Sequence, residues 1–170
     1  MKRLLTITLA AAVAAIYLQA QNANPLSTEV KQAYTNTKNK ILCAAEKMPE
    51  EHYSFKATPD VRTFGGWIAH VADANVRNCA AVNGEQKTGN AASKTSKADL
   101  TAALKESFAD CDKAYDSLTD ANATEMTKGQ RPRTKLGALA GNTAHDEEAY
   151  GSMAVYMRLK GLVPPSSEGR

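Results

Sequence analysis

The chain is predicted to be all-α, a four-helix bundle, and three observations carry that prediction. Four stretches place apolar residues at steps of three and four, the spacing of one helix face, and none carries the period of two that marks a half-buried strand. Alanine, lysine and glutamate are plentiful while aromatic residues make up 6% of the chain, a balance that favours helices over sheets. A residue able to cap a helix stands before each stretch. The 170 residues suffice for one domain around a single core.

Residues 1–20 read as a secretory signal peptide. Lys2 and Arg3 form the positive start, Leu4 to Leu18 the apolar run, and Ala20 suits the position before cleavage. The run is shorter than the roughly 20 residues of a spanning helix. The mature chain is therefore expected to be exported, periplasmic or secreted, without a membrane partner. Removing Lys2 and Arg3 from the 21 basic residues leaves 19 against 18 acidic ones. The lysines are dispersed without aromatic interleaving, so no nucleic-acid footprint is expected.

Residues 21–163 are read as the bundle. Ser27 is the expected cap of the first helix, whose stripe is Val30, Tyr34, Thr37, Ile41, Ala45 and Met48, and Pro49 stops it. Residues 49–62 have no helical period but carry Tyr53 and Phe55, which predicts a packed loop. Thr63 caps a second helix from Phe64 to about Ala81, with Phe64, Trp67, Ile68, Val71, Ala74 and Asn78 on its main face and His70 on the flank. Residues 83–96 form a polar loop, expected to be the most mobile segment. Ser96 with Asp99 resembles a capping box, and the third helix, Lys97 to about Leu118, has the cleanest stripe: Leu100, Leu104, Phe108, Cys111, Tyr115 and Leu118. Thr134 caps the last helix, which runs to Lys160, about 40 Å at the helical rise. Its stripe of Leu136, Leu139, Thr143, Asp146, Tyr150, Met153 and Met157 is apolar at both ends and polar in the middle, beside His145. Gly161, Pro164 and Pro165 end it, and residues 164–170 are expected to form an extended tail.

Three cysteines allow one internal pair. Cys79 and Cys111 lie at similar heights above the Thr63 and Ser96 caps. They can bond if helices two and three run parallel, and miss by roughly 15 Å if the helices run antiparallel. The alternative is three small buried thiols; export favours the bond. Cys43 is then left as a buried free thiol on the first helix. No serine–histidine pairing, phosphate-cradling glycine loop or CxxC motif is present.

The segments TFGGWIAHVADAN and NTAHDEEAYGSMAVYMRLKGLVPPSS resemble the DinB-like superfamily of damage-inducible helical proteins, in particular its exported bacterial branch. The resemblance implies an up-down-down-up four-helix bundle. It also implies a divalent metal, zinc or nickel-like, held by three histidines, one from helix two and two from helix four as H-x-x-x-H. These positions fall on His70, His145 and Ala149, and alanine cannot ligate. Glu148, three residues from His145, and Asp73, three from His70, are the candidate substitutes, with His52 a weaker one. The relatives include metal-dependent transferases acting with low-molecular-weight thiols, related isomerases, and homodimers.

Two functional expectations follow. One is a non-catalytic exported bundle with a degenerate two-histidine site, binding a small molecule or a partner, with Trp67, Tyr150 and Met153 either lining a cavity or simply packing the core. The other is a metal-dependent transferase or hydrolase that uses a substitute third ligand.

Overall fold

The structure is a computed structural model describing residues 24–128 and 131–169; the expected signal peptide lies outside them. Four helices form the bundle: α1 (Pro25–Lys47), α2 (Phe64–Val82), α3 (Lys97–Ser117) and α4 (Lys135–Leu159). Among the described residues the strand-type pairing is one isolated bridge, Met126 to Thr134. No described helix is long and apolar enough to cross a membrane.

Three helices start at the expected caps. The hydroxyls of Thr63, Ser96 and Thr134 accept from the N–H groups of Gly66, Asp99 and Gly137, relieving donors that a first turn leaves unpaired. α1 differs. It begins at Pro25, so Ser27 lies inside its first turn. Its free N–H groups are instead taken by Asp120 from the 119–133 connection, whose carboxylate accepts from Leu26 N at 3.1 Å and Ser27 N at 2.8 Å.

Side-chain pairs fix the topology. Gly65 in the first turn of α2 lies against Leu100 in the first turn of α3, and a disulfide joins Cys79 to Cys111 near the other ends, with Cα atoms 5.0 Å apart. The two helices are parallel. α1 and α4 are also parallel: Thr37 donates to Glu147 at mid-helix, and Lys47, closing α1, reaches the carbonyl of Val163 just beyond α4. α1 opposes α3, as Lys31–Asp116 and Glu46–Lys105 show. α2 opposes α4, as Asn78–Asn142 and Arg62–Tyr156 show. The order is up-down-down-up.

The core takes the predicted stripes of all four helices, with Ile41, Phe64, Ile68, Leu104, Phe108, Leu139, Met153 and Met157 fully enclosed. Two connections are more tightly held than their composition suggests. The 83–96 loop contains a single 3-10 turn, Ala91–Ser93, whose first N–H groups donate to Asp73: Ala91 N to Oδ1 at 2.8 Å and Ala92 N to Oδ2 at 3.1 Å. Gly89 passes so close to Asp73 that no Cβ fits there. The tail is not simply extended. It makes a 3-10 turn at Pro165–Ser167, and Ser166 N donates to the Tyr150 hydroxyl at 2.8 Å.

Candidate functional site

The polar middle of α4 meets the flank of α2. Because the two helices oppose each other, His70 and His145 face across their interface, with Nε2 atoms 2.8 Å apart. On the other side of the His145 ring, Nδ1 lies 3.2 Å from Oδ1 of Asp146, which is wholly buried. Burial raises the Asp146 carboxyl above its usual range, while His145 and then Asn75 pull it back. With Asp146 ionised, the protons are ordered along the row. The carboxylate accepts from His145 Nδ1–H, His145 Nε2 is then an acceptor, and His70 Nε2–H donates to it. Burial lowers the His70 pKa, the cations Arg62 and Arg77 and the ring of His145 lower it further, and Glu148 opposes them.

A row of amides continues the polar seam. Asn78 Nδ2 donates to Asn142 Oδ1, and Asn142 Nδ2 donates to Asn75 Oδ1, both at 2.8 Å. Beyond them Asn75 Nδ2 and Asp146 Oδ2 are buried without a partner in the chain. The helical periodicity puts Asn75 and Asn142 on the inner faces of their helices, so polar residues at apolar positions are the sequence signal of this seam. Outside the pair, a cleft of about 550 Å³ opens between α2, the end of the 49–62 loop and the 83–96 loop, and His70 lines it.

Residues 33–153 match the sequence model of the DinB superfamily. The chain belongs to the DinB superfamily. Two crystal structures share its fold. A DinB-like protein from Bacillus cereus ATCC 10987 is 20% identical with a TM-score of 0.67, the alignment covering 80% of this chain and 93% of that one. A DinB-like protein from Bacillus subtilis is 17% identical with a TM-score of 0.65, covering 84% and 99%. No match was found among curated proteins.

The divalent metal implied by the DinB resemblance does not fit the donors present. His70 and His145 converge, but Ala149 is 1% exposed and brings only a methyl group to the third position. Asp146 cannot replace it: it meets Nδ1 of His145, and the two nitrogens of one imidazole point away from each other. Its place is that of a carboxylate orienting the ring. Both oxygens of Asp73 are committed to the 3-10 turn. Glu148 is exposed and close enough to influence His70, and His52 belongs to the 3-10 turn Glu50–His52 after α1. No three histidine, cysteine or carboxylate side chains among the described residues gather around one point.

The remaining sequence expectations are placed as follows. Tyr150 and Met153 are buried in the core and Trp67 packs against it; none of the three lines the cleft beside His70. Cys43 is free and half-buried on α1.

Proposed function

We propose that this protein is an exported, ligand-binding member of the DinB superfamily, whose histidine pair is a metal-free remnant of the superfamily's divalent-metal site. One observation carries the reading: the Nε2 atoms of His70 and His145 are 2.8 Å apart, a hydrogen-bonding distance. A tetrahedral ion with Zn–N bonds of ~2.0–2.1 Å would hold its nitrogens about 3.4 Å apart. The buried Asp146 orders the pair by fixing a tautomer in which His145 Nε2 is an acceptor; the same tautomer would serve a metal equally, so the distance alone carries the reading. The charged start and apolar run of residues 1–20 and the Cys79–Cys111 bond support export to an oxidising compartment. Homodimerisation through helix faces joins this reading by analogy with the superfamily, and light scattering of the purified protein tests it.

The test is metal content of protein purified without chelator or histidine tag. The expected value is far below one ion per chain and unchanged in His145→Ala. One ion per chain, lost in His145→Ala, would favour the metal-dependent transferase or hydrolase instead, with Glu148 the next residue to replace.

A further inference from the structure

The cleft beside His70 gathers positive charge. The chain without its basic start is close to neutral, yet three cations from three separate segments line this one concavity: Arg62 from the end of the 49–62 loop, Arg77 from α2 and Lys94 from the 83–96 loop. None of the three makes an ion pair among the described residues. Several cations elsewhere are matched, as with Lys38 on Asp112, Lys40 on Glu147, Lys105 on Glu46 and Lys135 on Glu125. One carboxylate, Asp73, borders the cleft, and its oxygens are held by the N–H groups of Ala91 and Ala92. Asp73 therefore anchors the loop that carries Lys94, and its single charge leaves the three cations of the cleft in excess.

The arrangement is also shaped for more than a bare ion. The Arg62 guanidinium sits over the Trp67 ring, 5.0 Å from its centroid, which holds the side chain in place by cation–π attraction. Tyr53, Ala69 and Leu100 add apolar wall, and the volume of about 550 Å³ is that of a small-molecule pocket. Planar guanidinium forks match the two oxygens of a carboxylate or phosphate.

We infer that this cleft binds a small organic oxyanion, a carboxylate or phosphate ester carried on an apolar body, with Arg62, Arg77 and Lys94 meeting the charge and Tyr53 and Leu100 meeting the body. The inference deepens the ligand-binding reading above and rests on it. Under that reading the anion is held by side chains and not by an ion between the histidines.

Calorimetric titration of the purified protein in chelator, with phenyl phosphate, benzoate, inorganic phosphate and neutral benzamide, tests it. The expected result is saturable binding of phenyl phosphate or benzoate, at least tenfold weaker for benzamide. Arg77→Gln should weaken it at least tenfold, and Lys135→Gln, outside the cleft, should leave it unchanged. Whether phenyl phosphate or benzoate binds better distinguishes a phosphate ester from a carboxylic acid. Tighter binding of inorganic phosphate than of both would overturn the part assigned to Tyr53 and Leu100. Both Arg77 and Arg62 are exposed, so their glutamine variants should fold, and unchanged melting temperatures without ligand would verify it. No saturable binding in chelator or with added zinc would overturn this inference and leave the metal-free reading standing. Binding that arises only after zinc is added would overturn both.

Discussion

The two sides of α2 are held in opposite ways. Toward α3 the contact is covalent and apolar: the Cys79–Cys111 bond at one end, Gly65 against Leu100 at the other, and Leu104 and Phe108 in the shared core. Toward α4 the contact is a polar seam of His70, Asn75 and Asn78 against Asn142, His145 and Asp146. Two of its buried atoms, Asn75 Nδ2 and Asp146 Oδ2, are left without a partner. The first side secures the fold. The second joins its helices through hydrogen-bonded polar groups, beside the cleft that His70 lines.

The largest effect should come from the stabilising side. The double variant Cys79→Ala, Cys111→Ala should lose about 3–4 kcal/mol in chemical denaturation, the chain-entropy value for a loop of this size. A loss below about 1 kcal/mol would erase the contrast between the two sides. The seam should respond next. Asn142→Leu strands both Asn78 Nδ2 and Asn75 Oδ1 and should cost about 2 kcal/mol; a neutral or stabilising result would mean that the amide row is dispensable to the fold. A smaller effect is expected where α2 holds the 83–96 loop. Asp73→Ala should cost about 1 kcal/mol, as for a lost helix cap, and speed hydrogen exchange at Ala91 and Ala92 without affecting Asn142.

The smallest effect is a pH slope. The His70 pKa is lowered by burial from the usual 6.5, so the folded state favours the neutral ring. Its contribution to stability is complete above 6.5 and is lost as pH falls through the lowered value. Asp146 has the opposite sign: its carboxyl pKa is raised, so its contribution is present below the unfolded value and lost as pH rises through the folded one. Between pH 7 and 5 the His70 contribution should fall with acid, so His70→Gln should lose less stability over that range than the natural protein in denaturation curves. An equal slope in the variant would place the titration elsewhere.

The fold was largely legible because its signals are local. Thr63, Ser96 and Thr134 each accept from an N–H three residues away, and each stripe belongs to one helix. The cysteine heights linked the parallel α2–α3 pair to the disulfide because helical rise converts residue number into distance. Local pattern failed where the partner is remote. Ser27 looked like a cap, yet the group serving α1 is Asp120, 93 residues further along. Asp73 stands three residues from His70, the spacing of a second ligand, but its carboxylate points to the 83–96 loop. The His70–His145 encounter followed from the family resemblance alone. The role of Asp146 was hidden for another reason: adjacent side chains on a helix do not ordinarily face each other, so spacing gave no cause to join it to His145. The three cations of the cleft come from separate segments, and only the folded chain brings them together.

The central claim is that His70 and His145 bind each other and not an ion. Proton–nitrogen NMR of the two imidazoles, recorded without metal and again with one equivalent of zinc, tests it most directly. The account predicts His145 protonated at Nδ1 and His70 at Nε2, with both patterns unchanged by zinc. Unprotonated Nε2 on both rings, moving together when zinc is added, would contradict it and return the pair to the role of metal ligands.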